Sequence, residues 1–136
     1  MRIASRLVTF AFVLLAGCTV TALPGSAPED DRTQADYEAE LARLSDAIDE
    51  AIGEARADNL GQCRILEVGV RPCGGPWEYR VFSTAGGDPE RVLQLTAAYN
   101  ARNEEMNRRF GLVSTCEYRE PPEVALEGGR CTTRTR

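Results

Sequence analysis

Four cysteines, Cys63, Cys73, Cys116 and Cys131, follow residue 60 of a 136-residue chain that contains no histidine and no lysine. An even set of cysteines constrains a fold of this size more than any other feature, provided that the chain reaches an oxidising compartment. The first eighteen residues supply that condition. Arg2 and Arg6 make a positive start, residues 7–16 make an apolar run of ten, and small residues precede Cys18. This is the layout of an export signal. A membrane span needs about 20 helical residues to cross roughly 30 Å of hydrocarbon, so a run of this length is expected to be cut off rather than embedded.

The tetrad Leu15-Ala16-Gly17-Cys18 resembles the lipobox of bacterial lipoproteins. Leu15 stands at the aliphatic place, Ala16 and Gly17 at the small ones, and Cys18 at the lipidated one. The resemblance implies a diacylglyceryl thioether on Cys18, cleavage of residues 1–17, and acylation of the new amino terminus; an ordinary signal peptide cleaved near Ala22 is the alternative. One acyl chain anchors only marginally at ~0.8 kcal/mol per buried methylene, whereas two or three hold firmly. Thr19 stands where the enteric-type sorting rule would place an Asp for inner-membrane retention. The resemblance therefore implies the outer membrane, facing the periplasm.

Removing residues 1–17 takes away Arg2 and Arg6 and no acid, which moves the formal charge from -5 to -7. An acidic chain does not adhere to anionic lipid by charge, nor to nucleic acid, which requires clustered basic residues. The membrane is expected as a partner through lipid alone, and nucleic acid is not expected. Residues 18–32 form the lipidated cysteine and a flexible tether with two prolines and a Gly-Ser pair. The fourteen residues after Cys18 have a root-mean-square span of roughly 20 Å, so a partner should lie near the same membrane.

Residues 33–136 read as a single α+β domain. Tyr37, Leu41, Leu44, Ile48, Ala51, Ile52 and Ala55 repeat at helical spacing, with Thr33 as N-cap, Asp36 three residues later, and a stop at residues 58–61. The same stripe could serve as a thin self-associating seam over residues 33–57. Residues 63–70 and 77–83 are rich in strand-forming side chains and are separated by Pro72, Gly74, Gly75 and Pro76, which predicts a hairpin. Alternation puts Trp77, Tyr79 and Val81 on the face expected to be buried. Asp88-Pro89-Glu90 starts a second helix that ends at Phe110 and Gly111, and a short strand is expected at residues 124–126 before the Gly128-Gly129 turn. The result is two amphipathic helices packed on a small antiparallel sheet.

Tracing these elements pairs the cysteines. A Cys63–Cys73 bridge conflicts with the strand, because eight extended residues span about 25 Å and a disulfide needs Cα atoms within about 7 Å. The second helix runs back from the level of Cys63 and ends near the turn that holds Cys73, so Cys116 should meet Cys73 and Cys131 should meet Cys63. Each bridge contributes about 4 kcal/mol in the chain-entropy model. Zinc is the rival for four cysteines, but the spacings lack the C-x2-C pairs that such sites favour, and no metal or other cofactor is expected.

Without histidine there is no Ser-His-Asp or Cys-His pair, and without lysine no substitute base for Ser83 or Ser114. Carboxylates are too numerous to single out a glycosidase pair. No catalytic residue is assigned, and the domain is read as non-enzymatic. The candidate contact loop is Gly74, Gly75, Pro76 and Trp77; its two glycines would suit a phosphate cradle, but with no GK[ST] and no following helix a turn beside a disulfide is the simpler reading. Trp77, Tyr79, Tyr99 and Phe110 are expected in the core, and Tyr118 and Arg119 on a contact surface.

The mature domain also resembles a group of small bacterial exported proteins and lipoproteins. The shared pattern runs from Cys63 through Pro72-Cys73-Gly74-Gly75-Pro76-Trp77, Tyr79, Ser83, Asp88 and Tyr99-Asn100 to Cys116, Gly129 and Cys131. It implies one module with two disulfides and brings no activity, substrate or site residue with it. The expected function is that of a lipid-anchored accessory module binding an envelope component, with inhibition of an exported hydrolase as the alternative.

Overall fold

The computed structural model describes residues 31–134; the expected export signal, Cys18 and most of the expected tether lie outside the described residues. Thr33 opens the first helix, α1 (Gln34–Ile52), with a reciprocal capping box: its hydroxyl accepts the Asp36 N–H and its own N–H donates to the Asp36 carboxylate at 2.8 Å. The helix stops at Gly53, short of the expected residue 57. Gly53 takes a positive φ of 56°, which turns the chain. Ala55 and Ala57 then leave the helix to bond Cys131 and Gly129 through the backbone, at 2.9 and 3.0 Å.

Strands β1 (Cys63–Val68) and β2 (Glu78–Ser83) pair antiparallel with Cys63 opposite Ser83 and Val68 opposite Glu78. The hairpin is present, but the buried side of β2 differs from the expected one. Trp77 precedes the strand, and Phe82 rather than Tyr79 is buried. The register explains this outcome: Phe82 shares its face with Leu66 and Val68, and that apolar set takes up the helices.

Helix α2 (Pro89–Phe110) has the predicted limits, with the Asp88 carboxylate accepting the Arg91 N–H at 3.0 Å and Gly111 in the left-handed region. Strands β3 (Glu123–Glu127) and β4 (Arg130–Arg134) form a second antiparallel pair around the Gly128-Gly129 turn. The single expected sheet is thus two small ones. The disulfides are Cys63–Cys131 and Cys73–Cys116, as the traced elements predict, with Cα separations of 5.5 and 5.2 Å.

The larger core gathers Ile48, Ala51 and Ile52 of α1, Leu66, Val68 and Phe82 of the hairpin, and Val92 of α2, with the Cys63–Cys131 bridge among them. A smaller cluster holds Tyr37, Leu41 and Met106, with Phe110 edge-on to Tyr37 at 5.7 Å. The apolar stripe of α1 is therefore buried within its own chain, and self-association through it would require the helix pair to open. Arg32, read as the end of the tether, lies 4.6 Å over the Tyr37 ring and pairs with Glu40 at 3.2 Å. Arg80 ties β2 to α1 through Ser45 and Asp49 at 2.7 and 2.9 Å.

Candidate functional site

Beyond Val68 the chain leaves β2 and α2 replaces the lost strand partner with side chains. Asn100, Asn103 and Asn107 stand on one face of the helix. Asn100 accepts the Gly69 N–H and Asn103 the Val70 N–H, both at 2.7 Å, while Asn107 donates to the Val70 carbonyl at 2.6 Å. Asn100 also donates to the carbonyl of Glu67 at 3.1 Å. Three asparagines thus satisfy backbone groups that would otherwise lack partners as the chain enters the loop. Asn103 and Asn107 are buried for this reason, although they occupy positions that helical periodicity assigns to apolar residues.

The asparagine contacts deliver Arg71 into the interior, where it is 4 % exposed. Its guanidinium donates to the carbonyls of Glu117 and Thr115 and to the Thr115 hydroxyl, and it lies 5.5 Å over the Trp77 ring. Its backbone N–H donates to the Gly75 carbonyl at 2.9 Å, which closes the loop on itself. Arg71 therefore joins two segments, the 69–77 loop and an extended strap over residues 112–122. The Cys73–Cys116 bridge and the Arg119 bond to the Trp77 carbonyl at 3.1 Å add two further ties. Gly69 makes room for Trp77: with φ at +80°, a Cβ there would lie 2.6 Å from Trp77 Cδ1.

Between loop and strap lies a cleft of about 510 Å³, lined by Gly74, Gly75 and Pro76 on one side and by Glu117, Tyr118 and Pro121 on the other. Tyr79, Glu67 and Arg71 also reach it. Gly74 and Gly75 are exposed and have positive φ values of 96° and 78°, Pro76 is buried beneath them, and Trp77 is 39 % exposed outside the core. The Tyr79 hydroxyl donates to the Arg119 carbonyl at 3.1 Å. Burial, then the nearby Glu67 carboxylate and Tyr118, push the Tyr79 phenol above its ordinary value near 10.

The structure thus brings together two sets that were separate along the sequence, the Gly74–Gly75–Pro76 loop and the Tyr118–Arg119 pair. Sequence reasoning missed Arg71, Glu67 and Glu117 and placed Tyr79 in the core. The only available signal for Arg71 was its place beside Pro72-Cys73, since burial of an arginine depends on carbonyls forty residues away. Among the described residues no group of three acidic or cysteine side chains could hold a metal. The arrangement is a disulfide-braced α+β domain whose exposed cleft presents peptide backbone, tyrosines, prolines and carboxylates. No family model, curated protein or solved structure matches the chain.

Proposed function

We propose that the chain is a lipid-anchored accessory module of the bacterial cell envelope, held in the outer membrane by Cys18 and facing the periplasm, and that it binds an envelope protein rather than catalysing a reaction. The observation that carries this reading is the bracing of the cleft. Arg71 and the Cys73–Cys116 bridge hold both walls in place while Gly74, Gly75 and Tyr118 remain exposed. A preorganised, exposed surface loses little conformational freedom on binding.

The test is photo-crosslinking in intact cells from an unnatural residue at position 118, with a second probe at Leu93 and a Cys18→Ser control. One envelope protein captured from position 118, absent from the Leu93 probe and lost in the Cys18→Ser form, is the expected result. Capture from Leu93 alone, or none from either, would reject the reading. A palmitate label present in the native chain and absent from Cys18→Ser checks the anchor.

The exposed Gly74–Gly75 tip favours one second reading, inhibition of an exported hydrolase by loop insertion. It predicts that the captured partner is a hydrolase and that the added domain slows its turnover.

A further inference from the structure

Cys73 and Cys116 are exposed, and both line the cleft. Their bridge cross-links its two walls, and a space of about 510 Å³ gives a small thiol access to the sulfurs. The Cys63–Cys131 bridge is closed off within the larger core. Exchange begins when a thiolate attacks one sulfur and expels the other, and it is faster when the expelled thiolate is stabilised.

The surroundings distinguish the two sulfurs. The Arg71 guanidinium donates to the carbonyls of Thr115 and Glu117, so a thiolate released on Cys116 forms between two residues that hold a fixed cation. Arg71 is buried and water screens its charge little, whereas the Glu67, Glu117 and Arg119 charges that share the cleft are on exposed residues. Cys116 is therefore the better leaving group and Cys73 the sulfur to be attacked.

The strap depends on this bridge. Residues 113–121 make no backbone-to-backbone hydrogen bond among the described residues. Their hydrogen bonds to the loop and hairpin each involve a side chain: Arg71, the Tyr79 hydroxyl on the Arg119 carbonyl, Arg119 on the Trp77 carbonyl, and the Ser114 hydroxyl, which accepts the Cys73 N–H at 3.3 Å. The ends of the strap are fixed by α2 at Phe110 and by β3 at Glu123. Opening the bridge thus leaves a connection over residues 111–122, without secondary structure, that can leave the loop while helices and strands stay packed.

We propose that Cys73–Cys116 is a thiol–disulfide exchange site and that a dithiol acting on it unlocks the cleft. A thiolate of the dithiol attacks the Cys73 sulfur. The disulfide breaks, its electron pair passes to Cys116, and that thiolate takes up the proton the dithiol released. The second thiol of the dithiol then attacks the first, which frees Cys73 as a thiol and leaves the dithiol oxidised, with two electrons transferred to the bridge. The oxidised domain has braced walls and the reduced one a loosened strap. This regulation rests on the reading of the cleft as a binding surface, whereas the exchange itself is measured on the purified chain.

The test uses the full lipidated chain in detergent micelles. A brief pulse of the monothiol 2-mercaptoethanol is stopped with N-ethylmaleimide and followed by peptide mass mapping. The expected product carries mercaptoethanol on Cys73 and maleimide on Cys116, and exceeds the reverse product by at least about fivefold. Arg71→Lys, which keeps the charge, should preserve the preference, and Arg71→Gln should bring the two products toward equal amounts. Release of the strap is read by trypsin cleavage after Arg119. Cleavage should be at least about tenfold faster in the Cys73→Ser, Cys116→Ser double variant than in the native chain. A far-ultraviolet spectrum checks that each variant is folded.

Equal or reversed products in the native chain would overturn the proposal, as would a preference that survives Arg71→Gln. Labelling of Cys63 and Cys131 within the same pulse would show that exchange is not confined to the cleft and overturn it equally. Cleavage after Arg119 at one rate in both forms would mean that Arg71 alone holds the strap, and there would be no lock. A partner captured in cells from position 118 to the same extent by the double variant would reject the regulation while leaving the module intact. No capture at all would reject the binding reading and leave the exchange result standing.

Discussion

The side-chain oxygen of Asn103 accepts the backbone N–H of Val70 at 2.7 Å, within the domain and past the point where β1 has left its partner strand. Replacing Asn103 by Ala leaves that N–H without a partner. The expected loss is about 1–3 kcal/mol of unfolding free energy, measured by urea denaturation. Asn100→Ala, at a half-buried position, should cost less. Equal losses would show that burial does not set the cost, since helix propensity alone would favour alanine at both positions.

Arg71 links loop and strap with charge-assisted bonds to Thr115 and Glu117. Arg71→Ala is expected to destabilise the domain by about 2–4 kcal/mol and to accelerate amide exchange over residues 113–119 more than in the β1–β2 hairpin. Arg71→Lys should recover only part of the loss, because one ammonium cannot reproduce the planar fork that spans both carbonyls. Exchange that rises uniformly across the domain would refute this local role.

Cys73 and Cys116 are exposed, whereas Cys63 and Cys131 are each 5 % exposed. Thiol attack requires access, so graded reductant followed by alkylation and mass spectrometry should label Cys73 and Cys116 first. The far-ultraviolet spectrum should persist until the second bridge opens, since only that bridge lies in the larger core. Labelling in the opposite order would contradict the burial difference.

Gly69 lies under the ring of Trp77, the only tryptophan in the chain. Gly69→Ala introduces a Cβ against that ring at a positive φ, so Trp77 must move. A red-shifted emission maximum and a stability loss above about 1 kcal/mol are expected. Unchanged emission would show that the backbone, not the indole, gives way.

Burial raises the pKa of the Tyr99 phenol above its ordinary value near 10, helped by Glu78 and opposed by Arg80. The unfolded chain releases that proton first as pH rises. The contribution is therefore fully present below pH 10 and is lost as pH climbs through the raised value. Tyr79 and Tyr99 should both titrate late at 295 nm, the amplitude of that high-pH step should shrink by one tyrosine in Tyr99→Phe, and the fall in stability above pH 10 should be shallower in that variant.

Local signals made much of the architecture legible. The Thr33 box, the Asp88-Pro89 start and Gly111 each act within one helical turn, and the limits of α2 follow from them. The disulfides were readable because helix length and strand direction restrict which cysteines can meet. Gly53 ended α1 early because backbone bonds of Ala55 with Cys131 in β4 and of Ala57 with Gly129 in the turn before it compete with further helical turns.

The cleft was legible only in pieces. Gly74–Gly75 and Tyr118–Arg119 stand out by composition, yet nothing near either pair in the chain indicates that they meet.

The two helices, the first hairpin, their order and the cysteine pairing were legible in the sequence itself, because capping, periodicity and chain reach operate over short separations, whereas strand β4 and the second sheet were not. The buried face of the hairpin, the asparagine contacts, the burial of Arg71 and the meeting of loop with strap were decided by tertiary structure. Each depends on which backbone groups lack a partner once helices and strands have packed, and that is a property of the assembled chain.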